Sequence, residues 1–509
     1  MDRSAWRNAA TGLLLLTSLL NAREALANWV ITPDIRLRAT YTDNRSLIGL
    51  PAEGGLATTI APGIRIAGGG RRFRGNLHYA PSVISYPGSS RDDRFINTLS
   101  AFGNLEAIEN FFFVDANGHI SQTFISPFEP QPEDITAITD NRTETRTFGV
   151  SPYVRGNVRG AFSYELRNRN TWTRADNREL ADVQTTQWAG RVASPISLFG
   201  WALEYDETHI VYESVLGIRL VRDSRLYRGR LYFQPDSTLR LHVSGGREEN
   251  NYSLQQRRYY DIYGAGLSWR PGPRTAVELE WERRFFGPSR LARLTHRTRL
   301  TALSFSYSRN TGSFQQDLLT LPPGNTAALL DAIFAASIPD PLARQAAIDE
   351  FFRVTGTPAF LATPLSFYTQ QVLLRERAEA SAGMLGRRNS VIFTVFRSET
   401  TDLSGGLGAV GQDTFLFGDR VTQRGFGLRG NHQLTPQTTL GAGATRTFSR
   451  QQAPLSRDAR TDHLTLSLNH TLSPKTTATA GLSFSHFKSN ASPAGRNRRS
   501  VFVGLHHRF

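Results

Sequence analysis

A hairpin with one oily face is the feature that most limits what this chain can fold into. Leu466, Leu468, His470 and Leu472 alternate with small or polar residues. Ser473-Pro474-Lys475-Thr476 then makes a turn, and Ala478, Ala480, Leu482 and Phe484 resume the alternation. A period of two on both sides of a tight turn is the pattern of a β-hairpin. Its apolar face must either pack on a second sheet, as in a sandwich, or meet lipid on the outside of a barrel with an aqueous lumen. The hairpin by itself allows both.

The ends of the chain choose between them. Arg3 and Arg7 precede the apolar run Ala9 to Leu20, and Ala25-Leu26-Ala27 is a small-x-small cleavage pattern. Residues 1–27 therefore read as a secretory signal peptide, with the mature chain, 28–509, beginning at Asn28. The run is too short to cross ~30 Å of hydrocarbon as a helix. At the other end, Val501, Val503, Leu505 and His507 alternate up to a terminal Phe509. An amphipathic last strand closing on an aromatic resembles the signal read by bacterial barrel-assembly machinery. Together the two ends predict an exported, all-β chain: a single transmembrane antiparallel up-and-down barrel in a Gram-negative outer membrane.

Composition agrees. The mean hydropathy is −0.34, as expected where every second strand residue is polar. Cysteine is absent, so there is no disulfide framework and no thiolate chemistry. The formal charge is +15, and Lys475 and Lys488 are the only lysines among 59 basic residues. Arginine favours phosphate and carboxylate partners. Export argues against nucleic acid and for outer-membrane lipid and lipopolysaccharide outside, with an anionic glycan inside. Lumen ion pairs are the plainer use for so much arginine.

The turn recurs at Phe233–Leu239, Trp269–Thr275 and Leu434–Leu440, with proline presetting φ and threonine restarting the strand. Counting back from Phe509, short periplasmic turns fall near 69–71, 106–110, 156–159, 195–199, 234–237, 271–274, 297–299, 385–388, 435–438 and 473–476. Longer polar segments, such as 43–55, 124–143, 174–184, 400–420 and 450–460, become outer loops. The total is about 22 strands, even as single-chain bacterial barrels require. Alternation then assigns faces. Phe162, Tyr164, Leu166, Tyr227, Leu231, Phe233, Val277, Leu279 and Trp281 meet lipid. Arg36, Arg38, Glu165, Arg167, Arg169, Arg228, Arg230, Glu278, Glu280 and Glu282 line the lumen.

One segment, 311–366, breaks the rhythm. Leu329, Leu330, Ile333 and Phe334, then Leu342, Ile348, Phe351 and Phe352, follow a helical period. Asp340-Pro341 reads as an N-cap with proline in the first turn, and Gly356 as a stop. A helical insert of this size in an outer loop either folds inward as a constriction, covers the mouth as a lid, or decorates the surface.

Three stretches, TPDIRLRATYTDN (32–44), NRTETRTFGVSPYVRG (141–156) and ERRFFG (282–287), resemble the outer-membrane barrel family associated with the PEP-CTERM/exosortase system. The resemblance spans the mature chain, least clearly 311–366. It implies compartment, barrel fold and a setting in exopolysaccharide synthesis and export, with periplasmic export components as partners. It transfers no functional residues.

Two functions follow. One is a porin-like conduit for an acidic or neutral polysaccharide; the other is a non-conducting assembly or anchoring component of the exopolysaccharide machinery. No G-x-S-x-G, H-E-x-x-H or paired His/Ser arrangement accompanies His242, His296, His432 or His470, so no enzyme, catalytic residue, metal site or cofactor is expected. His470 and His507 fall on the lipid face near the periplasmic end, where a girdle role suits them. A receptor with a plug ahead of the barrel is not expected, because strand one starts just after the cleavage site. Deleting Phe509 should reduce outer-membrane assembly, read as the fraction of protein that is heat-modifiable on gels; undiminished insertion would show that the terminal aromatic is not a signal here.

Overall fold

The computed structural model describes residues 29–48, 52–88, 93–177, 180–213, 219–252, 257–312, 325–335, 337–369, 371–404, 420–452, 456–491 and 496–509. The expected signal peptide lies outside these residues. The first strands are β1 (Trp29–Thr42), β2 (Gly55–Gly69), β3 (Phe73–Tyr79), β4 (Ser82–Ser85), β5 (Arg94–Ile96) and β6 (Leu99–Ile108). There follow β7 (Phe112–Phe124), β8 (Arg142–Val158), β9 (Phe162–Ala175), β10 (Asp182–Ala193), β11 (Phe199–Glu213) and β12 (Arg219–Phe233). Next come β13 (Leu239–Asn250), β14 (Arg258–Gly272), β15 (Thr275–Arg284), β16 (Gly287–Arg297) and β17 (Thr301–Gly312). Two helices, α1 (Asn325–Phe334) and α2 (Pro341–Thr355), precede β18 (Leu373–Leu385), β19 (Asn389–Asp402) and β20 (Arg420–Thr435). The last four are β21 (Thr438–Gln451), β22 (Arg457–Ser473), β23 (Thr476–Ser489) and β24 (Arg496–Arg508).

Every neighbouring pair is antiparallel, and β24 returns to β1 from Asp34↔Arg508 to Thr42↔Ser500, closing the sheet. Two pairs of segments are single barrel strands with a break. β3 and β4 both pair with β2, and the break falls at Ala80-Pro81, where proline supplies no N–H to the ladder. β5 and β6 pair back onto them across a matching break at Asn97-Thr98. The described residues thus form a closed barrel of 22 strands, as the alternation predicts. All ten expected short turns are present on the side of the barrel that holds Trp29 and Phe509.

The faces follow the alternation. On β15, Leu279 and Trp281 are 44% and 42% exposed outward, whereas Glu282 is 4% exposed in the lumen. The outward rows carry aromatic girdles at both ends of the apolar belt, the arrangement of an outer-membrane barrel. Trp29 stacks on Phe73 at 5.5 Å, and Phe199 meets Phe233 at 5.3 Å, on the periplasmic side. Tyr205 meets Tyr227 at 5.1 Å, and Tyr263 meets Trp281 at 5.8 Å, on the outer side. Closed backbone pairing and an apolar belt facing outward make this an outer-membrane β-barrel of a Gram-negative bacterium.

The periplasmic girdle contains a detail that alternation alone does not reveal. After three of the turns, the threonine that restarts the strand bonds a histidine on the neighbouring strand. The pairs are Thr275–His296, Thr438–His470 and Thr476–His507, each at 2.9 Å. His507 also packs edge-on against Phe509, with centroids 4.8 Å apart, and the Phe509 N–H donates to the Pro33 carbonyl. Val501, Val503 and Leu505 face lipid as expected. The terminal strand is thus pinned at the seam of the barrel as well as being apolar.

Leu279→Arg should lower barrel stability, because a charge near the bilayer midplane costs ~2–4 kcal/mol. Glu280→Gln, one residue away, should leave heat modifiability unchanged. Equal damage from both would show that β15 does not present one face to lipid.

Candidate functional site: a lumen occupied by its own insert

The helical insert folds inward. In α1 the residues Leu329 and Ile333, four apart and so on one face, pack against Ala302 of β17, Ile392 of β19 and Leu361. Leu330 and Ala327 turn to Ile348 of α2, joining the two helices. The caps are those expected from the sequence. The Asp340 carboxylate accepts the Ala343 N–H at 3.0 Å, and Gly356 ends α2 with a φ of 62°. The insert is longer than 311–366, because β17 runs to Gly312 and β18 begins only at Leu373.

Its depth is the main finding. α1 reaches Ala302 and Leu385, and α2 reaches Arg65, Thr477 and Arg508, all close to periplasmic turns. The segment therefore leaves the outer end of β17 and reaches the opposite end of the lumen. Arg65 pairs with Asp349 at 2.8 Å, Arg508 with Glu350 at 3.9 Å, and Arg353 donates to the Thr477 hydroxyl. At the end of α2, the Thr355 carbonyl accepts from Arg429 at 3.0 Å and from Asn469 at 3.1 Å. The chain then climbs back along the wall. Leu365 and the Gln423 side chain exchange hydrogen bonds at 2.8 and 3.0 Å, and the Tyr368 hydroxyl donates to the Ala181 carbonyl.

A second segment, the outer loop 125–141, also turns inward. Ile135 and Ile138 pack on Ala57, Ile84, Tyr86 and Ile96. Glu133 meets His463 at 2.7 Å, and Asp134 meets Arg498 at 3.4 Å. Burial alone would raise the Asp134 carboxyl. Arg498, Arg38 and the Thr136 N–H outweigh it and hold the group below the usual carboxylate range.

On the inward face of the wall these charged side chains fall in two unlike settings. Arg228 grips Glu282 with two hydrogen bonds at 2.8 and 2.6 Å, and Arg230 binds Glu280 at 2.9 Å. Glu204 approaches both arginines, at 3.3 and 3.4 Å. Arg167 pairs with Asp115 at 2.6 Å and Glu165 at 3.0 Å, Arg169 reaches the Gln187 amide at 3.4 Å, and Glu278 pairs with Arg293 at 3.0 Å. Arg228 and Arg230 are thus engaged by the acidic rung, the lumen ion pairing that is the plainer use for so much arginine. Register brings the two rungs into contact and neutralises them. A cavity of ≈ 540 Å³ lies along this balanced wall.

Arg36 and Arg38 sit elsewhere, on a cavity of ≈ 580 Å³ bordered by α2. Arg65, Arg353, Arg429 and Arg508 share that lining with Glu133, Asp134 and Asp349, so cations outnumber carboxylates two to one. Arg36 lies 3.3 Å from Asp34, and the Arg38 guanidinium covers the Phe502 ring at 4.0 Å. No cluster of three or more potential metal ligands occurs among the described residues.

The sequence matches no family model and no curated protein. Among solved structures it is similar to the outer membrane transporter YddB from Escherichia coli, with 9% identity and a TM-score of 0.45, over 94% of this chain and 81% of that one. The siderophore receptor PirA from Pseudomonas aeruginosa gives 8% identity and a TM-score of 0.40 over 94% and 80%. OpdO from the same species gives 9% and 0.31 over 94% and 97%.

A carboxyl held low stabilises its contacts above the usual carboxylate range, and that stability is lost as pH falls through the lowered value. Asp134→Asn removes the same charge at neutral pH. Amide exchange over 134–141 should then accelerate about tenfold, as expected for a lost hydrogen bond to a charged group. Unchanged exchange would show that loop 125–141 is held by Ile135 and Ile138 alone.

Proposed function

We propose that the protein is a gated conduit for an anionic, glycan-like polymer, closed in this conformation by its own insert. The observation that carries the reading is how α2 is held. Its links to the wall at Arg65–Asp349 and Arg508–Glu350 are partly exposed ion pairs, worth about 0–1 kcal/mol each. By contrast, α1 is seated through Leu329 and Ile333 in apolar contact. Such an insert has an apolar seat on the wall at α1, while α2 meets the wall through polar links and joins α1 through Ile348. The cationic cavity along α2 supports an anionic cargo. The resemblance to exopolysaccharide-associated barrels makes that cargo an exported polysaccharide, with periplasmic export components delivering it.

The filled lumen also favours a second reading, a non-conducting assembly or anchoring component of the same machinery. We assign no catalytic role, since Glu280 and Glu282 are both engaged by arginines.

Planar-bilayer conductance separates the two readings. Deleting 320–360 should raise conductance severalfold while the barrel stays heat-modifiable. The open pore should prefer anions at low salt. That preference should fade as the Debye length drops from ~30 Å at 0.01 M to ~3 Å at 1 M. If wild type and deletion are both silent while loss of the protein still blocks polysaccharide export, the conduit is refuted and the anchoring role stands.

A further inference from the structure

The outward surface just above the apolar belt is not uniform around the barrel. Over β11–β14 each charge faces its opposite directly across the ladder. Glu207 sits opposite Arg225 at 2.7 Å, His209 opposite Asp223 at 2.6 Å, and Arg247 opposite Asp261 at 3.7 Å. On that rim the outward arginines and carboxylates are paired across the ladder.

Over β19–β23, where Arg446 and Arg450 also face Asp462 and Asp458, one further row does the reverse. Arg397, Arg424, Phe448, Arg460 and Lys488 are successive cross-strand partners, forming one row across five strands. All of them lie on the lipid-facing side, in the same alternation as Val395, Phe426, Leu428 and Leu464 below them. Arg397 faces Arg424, and Arg460 faces Lys488; like charges directly opposite destabilise a ladder. Phe448 lies between two guanidinium groups, with Arg424 at 5.3 Å and Arg460 at 5.9 Å from its ring centre. Nearby carboxylates are already shared. Asp462 holds both Arg446 and Arg460, Asp458 holds Arg450, and Glu399 lies between Arg397 and Arg420. Among the described residues, no carboxylate forms an ion pair with Arg424, Lys488 or Arg499.

A groove opens directly beneath this row, two outward positions down each strand. Small residues, Gly430, Ala442 and Ala444, make its floor, while Leu428, Leu464 and Phe484 rise at its sides; its volume is ≈ 770 Å³ and Arg499 stands on its rim. The site thus has an apolar trough at hydrocarbon depth and unbalanced cations at headgroup depth. Guanidinium groups suit phosphate oxygens, and basic clusters at a membrane interface recognise anionic lipid headgroups.

We propose that the outer face of β19–β24 is a binding site for a phosphorylated, multiply acylated glycolipid of the outer leaflet, such as lipid A. Its phosphates lie along the row from Arg397 to Lys488, and an acyl chain lies in the groove over Ala442 and Ala444. The bound phosphates supply the anionic partner that Arg424 and Lys488, each facing another cation across the ladder, lack among the described residues.

The test is native mass spectrometry of the full-length protein in detergent, titrated with bisphosphorylated lipid A. Wild type should retain the lipid, and Arg424→Gln combined with Lys488→Gln should weaken binding on the order of tenfold. Ala444→Trp, which fills the groove, should weaken it without altering a charge. Lipid A stripped of phosphate should bind the wild type poorly. Arg225→Gln, on the balanced rim, should bind like wild type. Each variant is first shown to be heat-modifiable, so loss of binding is not loss of fold. Equal retention of phosphorylated and dephosphorylated lipid, or undiminished binding by the double variant, would overturn the proposal. Equal weakening by Arg225→Gln would overturn it too, by reducing the effect to general surface charge.

Discussion

The backbone cannot leave a hydrogen-bonding group unpaired in hydrocarbon, and the rest of the structure depends on that. Each unmet N–H or carbonyl costs several kcal/mol there, so a sheet in a membrane has to close on itself. Closure here is the pairing of β24 with β1, fastened beyond the last strand residue by the Phe509 N–H on the Pro33 carbonyl. Where the ladder is interrupted, it is interrupted in register: the break beside Pro81 is matched by the break at Asn97-Thr98 on the adjoining strand. The Ala80 N–H donates to the Thr98 carbonyl between them, so neither break leaves an open edge.

Closure at 22 strands creates a second problem, a lumen too wide for wall side chains to fill, and barrels of that size are commonly plugged. This chain fills it with segments drawn from two outer connections. Loop 125–141 comes in through Ile135 and Ile138, and the insert between β17 and β18 reaches the periplasmic end. Lumen-facing arginines do most of the remaining joining. Arg498 holds the loop through Asp134 and Thr136, and Arg429 holds the end of α2. The basic composition is thus partly explained by the wall having to bind backbone carbonyls and carboxylates that a purely apolar lumen would leave unmet.

The barrel was legible in the sequence because its signal is local. Alternation with period two assigns Leu279 outward and Glu280 inward without reference to any other strand, and a Pro- or Thr-marked turn identifies a periplasmic end. The two helices were legible for the same reason, from Leu329, Leu330 and Ile333 and from the Asp340 cap. Their destination was not. A helical period shows that one face is buried but not what buries it, and Ala302 and Ile392 carry no mark distinguishing them from other small or apolar lumen residues. The pairing of Arg228 with Glu282 was likewise hidden, because it depends on the registers of β12 through β15 taken together. The row from Arg397 to Lys488 escaped for that reason as well: its residues lie on five different strands and become neighbours only once every register is fixed.

Tethering explains how an insert can serve where a separate plug domain would be costly. A free plug that leaves its barrel must give up translational and rotational freedom again on return. A segment joined at both ends to β17 and β18 pays instead a loop-closure cost that rises only slowly with length. The division between its helices fits that economy. α1 buries Leu329 and Ile333 against the wall, where removing apolar surface from water stabilises by roughly 25 cal/mol per Å², so it stays seated. α2 is bound to the wall through exposed pairs at Asp349 and Glu350 and through the Thr355 carbonyl on Arg429 and Asn469, and to α1 through Ile348. Displacing α2 would break those links, while the barrel ladder, which carries the fold, is not touched.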